Sequence, residues 1–121
     1  MPRILVIDDD PEMRAVLEQT LQSAGHHVML AADGRQGLAQ IASAPPDLVI
    51  TDLYMPNKDG LETILELRQR FPKVAIIAMS GRTVAATMLS IASQLGAVAV
   101  LQKPFVSGEL LRAVDRALQD R

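Results

Sequence analysis

The chain contains no cysteine and no tryptophan. Without cysteine, disulfide staples and thiolate metal sites are excluded, and the redox compartment is left undetermined. Aromatic residues are nearly missing as well: Tyr54, Phe71 and Phe105 are the whole set. Val, Ile, Leu, Ala and Met must therefore fill the interior. With 49% of its 121 residues apolar, the chain can bury a core of its own as one domain, residues 1–121. A basic excess is absent too. The net charge of -2 argues against nucleic acid as a direct partner, because binding a phosphate backbone needs a basic surface. No signal-peptide layout precedes the first strand pattern, which begins at Arg3. Residues 83–102 carry no charge, but Thr83, Thr87, Ser90, Ser93, Gln94 and Gly96 break that run, and it reads as a helix followed by a strand rather than a membrane span. A soluble cytoplasmic protein is the expectation.

What is present is a regular alternation of short apolar runs and amphipathic stretches. Strands are expected at 3–7, 27–32, 47–52, 74–79 and 98–102. The first helix carries Met13, Val16, Leu17, Leu21 and Ala24 on one face, with Pro11 in its first turn and Gly25 at its exit. A second helix is expected over 35–43 and a third after Gly60, ending before Phe71-Pro72. A fourth covers 83–95 and closes at Gly96. Ser107 is expected to cap a fifth, with Leu110, Leu111, Val114, Ala117 and Leu118 as its stripe. Five β-α units imply an α/β fold with a parallel sheet covered by helices on both faces. The chain stops soon after the fifth helix, so no output domain is expected within it.

Charged residues gather at one end of this pattern. Asp8 and Asp9 follow Ile4-Leu5-Val6-Ile7, Asp52 follows Leu48-Val49-Ile50-Thr51, and Lys103 follows Val98-Ala99-Val100-Leu101-Gln102. Carboxylates brought together repel unless a cation neutralises them, which points to a hard divalent ion and a phosphoryl group. Asp10 is read as the cap of the first helix, with Glu12 favouring its positive end. Taken alone, Asp52 reads as a helix cap, Lys103 as a solvated surface lysine and Ser80-Gly81 as a turn. The charged company of the first two, and the strand before Ser80, favour a site.

The motifs Ile4-Leu5-Val6-Ile7-Asp8-Asp9-Asp10, Pro46-Asp47-Leu48-Val49-Ile50-Thr51-Asp52-Leu53-Tyr54-Met55-Pro56 with Asp59-Gly60, Ile76-Ile77-Ala78-Met79-Ser80-Gly81 and Lys103-Pro104-Phe105 together resemble the receiver domain of two-component response regulators. The resemblance runs from Arg3 to the end of the chain. It implies a flavodoxin-like, doubly wound five-stranded parallel sheet of order 2-1-3-4-5 with five helices. In that order the strands reverse between the first and third, so Asp8, Asp9 and Asp52 fall where ligands bind in such sheets. Asp52 would be the phosphorylated residue. Asp9 would bind Mg²⁺ directly, Asp8 mainly through water, and the Tyr54 backbone carbonyl would add a ligand. Ser80 and Lys103 would bind the phosphoryl oxygens, and the Lys103–Pro104 peptide would be cis. The donor would be a sensor histidine kinase or histidine phosphotransfer protein.

One position departs from the family pattern. Val100 stands where an aromatic residue usually reports phosphorylation, and valine cannot swing a ring between buried and exposed positions. The fourth helix is unusual too, with Val84, Ala85, Met88, Leu89, Ile91, Ala92 and Leu95 and no charge from Thr83 to Leu95. It reads either as a well-buried helix or as part of a contact surface on the helix 4/strand 5/helix 5 face, for a downstream protein or a second copy of the chain. His26 and His27 are read as ordinary polar loop residues. Two other functions stay open: a phosphorylation-independent adaptor of the same fold, and a Mg²⁺-dependent phosphohydrolase with an aspartyl nucleophile. Against the second, Glu12 stands where a small or β-branched residue normally follows Asp-x-Asp, and no cap insertion exists to bind a substrate.

Overall fold

The computed structural model describes residues 2–53, 60–81 and 86–119, the side chains of 86–89 excepted. Strands and helices alternate: β1 (Arg3–Ile7), α1 (Pro11–Ser23), β2 (His27–Ala31), α2 (Gly34–Ser43), β3 (Leu48–Asp52), α3 (Gly60–Arg70), β4 (Ala75–Ser80), α4 (Ala86–Gln94), β5 (Ala99–Gln102) and α5 (Ser107–Gln119). The strands form one parallel sheet in the order β2-β1-β3-β4-β5. Side chains of successive strand residues point to opposite faces, and this divides the core in two. Leu5, Ile7, Val49, Ile76 and Ala78 pack against Leu38 and Ile41 of α2, Ile64 and Leu67 of α3, and Ala92 of α4. On the other face, Ile4, Val6, Leu48, Ile50, Ile77 and Met79 pack against Leu17 and Leu21 of α1 and Leu110 and Val114 of α5. The inner strands β3 and β4 are buried throughout, as continuous apolar runs require.

Helix ends follow from local chemistry. Asp10 caps α1, its side chain accepting from the Glu12 N–H at 3.0 Å, and Pro11 follows as the first helical residue. After the last turn Gly25 takes φ +94°, while His26 N–H donates to the Leu21 carbonyl at 3.1 Å. Asp33 and Gln36 close the start of α2 reciprocally: Asp33 accepts from Gln36 N–H at 2.8 Å, and Gln36 accepts from Ala32 N–H at 2.9 Å.

Several expectations are corrected. Val16 is 58% exposed, because its direction lies at the rim of the apolar face defined by Leu17 and Leu21. Ala24 lies past the end of α1 and is exposed. Ser107 is the first residue of α5 rather than its cap; the Val106 carbonyl accepts from Glu109 and Leu110 N–H. Val98 is 55% exposed and precedes β5. β2 ends one residue earlier than expected, at Ala31, β3 begins one residue later, and β4 is displaced by one residue at both ends, which makes Ser80 its last residue. His26 is buried with no hydrogen-bond partner at Nδ1, unlike a polar loop residue, whereas His27 is exposed at the start of β2. The expected start of the fourth helix, residues 83–85, lies outside the described residues. No described helix is long and apolar enough to cross a membrane.

Candidate functional site

Parallel registry places the ends of four strands side by side. Ile7 pairs with Thr51, so Asp8 and Asp52 emerge next to each other where the strand order reverses. Asp52 pairs with Met79, which brings Ser80 alongside, and Ser80 pairs with Gln102, the residue before Lys103. Residues from 8 to 103 meet at one edge because each closes a strand of one sheet.

Lys103 Nζ donates to Asp52 Oδ2 at 2.9 Å and to Asp8 Oδ2 at 3.0 Å. Asp8 is fully buried and Asp52 nearly so, while the Lys103 side chain keeps a fifth of its surface in solvent. Burial pulls the Lys103 pKa down, but the hydrogen bonds and charges of Asp52 and then Asp8 more than offset this, and the net shift is upward. The ammonium is therefore the charged form at neutral pH, and it neutralises part of the carboxylate cluster. The Lys103–Pro104 peptide is cis.

Every polar group of Asp8 has a protein partner. Its N–H donates to the Ala31 carbonyl at 3.1 Å, and its carbonyl accepts from Arg14 Nη1 at 2.7 Å. Its Oδ1 accepts from the Asp10 N–H at 2.9 Å, and its Oδ2 takes Lys103. Asp9 is exposed, and among the described residues its carboxylate has no such partner. One carboxylate oxygen from each of Asp8, Asp9 and Asp52 lies within 4.8 Å of the others. Three hard oxygen donors, one facing solvent, fit a small divalent cation that retains several waters, as Mg²⁺ does. The Tyr54 carbonyl, expected as a further ligand, lies outside the described residues.

Ser80 is fully buried, and among the described residues its Oγ has no hydrogen-bond partner. A buried hydroxyl left unpaired costs free energy, so this group calls for a partner from beyond the described residues. Val100 is half-buried on β5 and packs on the α2/α3/α4 side of the sheet. On α4, Ala92 is buried and Ile91 is 41% exposed; Val84, Ala85 and the side chains of Met88 and Leu89 lie outside the described residues.

One contributor went unnoticed in the sequence, and another, Gly60, was read only as part of the Asp59-Gly60 motif and the start of the third helix. Arg14 reaches back from α1 to the Asp8 carbonyl. Its signal was a cation near a helix N-terminus, where the dipole disfavours it and some partner is therefore to be sought. Gly60 opens α3 directly against the end of β3, where a β-carbon would overlap the Asp52 carbonyl oxygen and stand 2.5 Å from Leu53 Cα. That contact depends on tertiary approach, and no spacing rule reports it.

The fold and the site define a doubly wound α/β protein of the flavodoxin-like type, with an acidic crevice and a lysine at the carboxyl ends of its strands. More particularly, the sequence profile of the response regulator receiver domain matches residues 4–115, and the chain belongs to that family. It is similar to the response regulator MprA of Mycolicibacterium vanbaalenii, with 40% identity over 119 residues, 98% of this chain and 51% of that protein. It is also similar to the DNA-binding transcriptional regulator NtrC of Salmonella typhimurium, with 36% identity over 95% of this chain and 24% of that protein. The chain thus spans about half the length of one curated relative and a quarter of the other. Among solved structures, chemotaxis protein CheY4 of Vibrio cholerae superposes with a TM-score of 0.90 at 32% identity, covering 98% of this chain and 99% of that one. The CheY-like receiver domain protein of Methanospirillum hungatei gives 0.94 at 27% identity, covering 99% and 95%. Receiver domains of this family are signalling switches of two-component systems.

Proposed function

We propose that this domain accepts a phosphoryl group on Asp52 from a phosphohistidine donor, a sensor histidine kinase or histidine phosphotransfer protein, and thereby switches its protein contacts. The observation that carries the reading is the meeting of Lys103 with Asp52 at 2.9 Å beside carboxylates whose ligand atoms fall within 4.8 Å. An Asp52 carboxylate oxygen attacks phosphorus in line. The new O–P bond forms as the P–N bond breaks, and the electron pair leaves with the imidazole, which takes a proton from solvent. Lys103 and the Ser80 hydroxyl are placed to donate to the phosphoryl oxygens of the acyl phosphate. Asp9 and Asp52 would hold Mg²⁺ directly and Asp8, whose carboxylate oxygens already accept from the Asp10 N–H and from Lys103, through water. When bound, the ion neutralises the accumulating negative charge and polarises a phosphoryl oxygen.

The acyl phosphate adds charge inside a buried crevice, and the Ser80 hydroxyl supplies a reason for the loop after β4 to move toward it. With Val100 in place of an aromatic ring, that loop and α4 carry the signal to the α4/β5/α5 face. Exposed Ile91 and Val98 support a protein target or a second copy of the chain there. The acidic net charge supports protein rather than nucleic acid as the direct partner of this domain, and a cytoplasmic setting follows from the donor. The test is incubation with Mg²⁺ and acetyl phosphate followed by intact mass measurement. The wild type should gain a single acid-stable, base-labile phosphoryl group that Asp52→Ala cannot acquire. Equal labelling of Asp52→Ala would refute the assignment.

A further inference from the structure

Arg14 sits in the fourth position of α1, near the positive end of the helix dipole, where a cation is poorly placed. Its guanidinium nevertheless points back toward β1. Nη1 donates to the Asp8 carbonyl at 2.7 Å, and the Arg14 backbone N–H donates to the Asp10 carbonyl at 3.0 Å. The second bond is the first hydrogen bond of the helix and is independent of the side chain; the guanidinium is what adds a tie from α1 to the Asp8 end of the turn that carries Asp8, Asp9 and Asp10. Asp9, in the middle, is exposed and has no partner among the described residues, so no side-chain contact fixes its carboxylate and the backbone of that turn sets the direction in which it leaves.

We infer that Arg14 is a positioning residue for divalent-cation binding, holding the β1–α1 turn in the conformation that presents Asp8 and Asp9 to one ion. The inference rests on the metal site described under the proposed function and adds a residue that contributes no ligand atom. Arg is suited to this, because its planar fork fixes direction as well as distance. Removing a partner that orients metal ligands without touching the ion typically costs roughly 10–100-fold in affinity.

The sign of the effect separates positioning from charge. Arg14 is a cation near a cation site, so by Coulomb's law alone its removal would tighten Mg²⁺ binding. Positioning predicts weakening, because the freed turn no longer brings the carboxylates together. The experiment is calorimetric titration of Mg²⁺ into the full chain, with urea unfolding in EDTA as the check on folding. Folded Arg14→Met should bind Mg²⁺ roughly tenfold more weakly than wild type, and Arg14→Lys should fall between them. Unchanged or tighter binding by Arg14→Met overturns the inference. If Arg14→Met does not fold, Arg14→Lys decides: weaker binding supports positioning, and wild-type affinity overturns it. A wild type that binds no Mg²⁺ sinks the metal site itself, and the role of Arg14 with it.

Discussion

The backbone N–H of Lys103 donates to the carbonyl of Ser80 at 2.7 Å, so the two residues expected to meet a phosphoryl group are tied together through the backbone of adjacent strands. The tie leaves the Ser80 hydroxyl free to turn, and that hydroxyl is buried without a partner among the described residues. Ser80→Ala should therefore leave stability unchanged or raise it by up to about 1 kcal/mol, since an unsatisfied buried group is removed. The same change should slow phosphorylation by acetyl phosphate at least roughly tenfold, because a donor to the phosphoryl oxygens is lost. Urea unfolding and time-resolved mass measurement read the two effects separately. Destabilisation together with normal labelling would contradict the role given to this hydroxyl.

Lys103 touches two buried carboxylates, and removing it leaves both unneutralised. Lys103→Met should cost about 2 kcal/mol in EDTA, less than the roughly 3–5 kcal/mol of a fully buried pair because its side chain is partly solvated. Mg²⁺ should restore more stability to this variant than to wild type, as read by thermal melting with and without the ion. The pH dependence follows from the same contact. Lys103 has a raised pKa in the fold, so its stabilisation is complete below the ordinary lysine value of 10.5 and is lost as pH rises through the higher folded value. Wild type in EDTA should lose stability in that alkaline window, and Lys103→Met should not show that component.

Gly60 has no room for a side chain against Asp52 and Leu53. Gly60→Ala should destabilise the domain by about 2–3 kcal/mol, since the overlap falls on backbone that cannot move aside without shifting the end of β3. Because that end carries Asp52, labelling by acetyl phosphate should fall as well, even at temperatures where the variant remains folded. A variant that is destabilised yet labels at the wild-type rate would show that Asp52 tolerates the shift.

Much of this was legible in the chain because a parallel sheet converts sequence position into place. A charge that follows a buried strand must emerge at the carboxyl edge, and Asp8, Asp52 and Lys103 all obey that rule. Strand limits moved by a single residue at β2, β3, β4 and β5, even though the Asp47 and Val98 N–H groups still donate to the Arg3 and Ile76 carbonyls of neighbouring strands. Helix faces were less exact: Val16 fits the apolar spacing yet faces solvent, because helix orientation is set by packing and not by periodicity. The role of Arg14 and the tight contact at Gly60 escaped for a different reason. Their effects depend on where a long side chain turns and how closely two backbones approach, and neither leaves a repeating mark.

The crevice has a charge balance that bears on which ions it admits. Three carboxylates (Asp8, Asp9, Asp52) against the ammonium of Lys103 leave a formal charge of -2. A doubly charged ion brings the pocket to electroneutrality, while sodium or potassium would leave half the deficit in place. Such a pocket would favour a divalent over a monovalent ion on charge alone, before coordination geometry comes into play, and a phosphoryl group transferred to Asp52 would bring back half of the deficit the ion had cancelled.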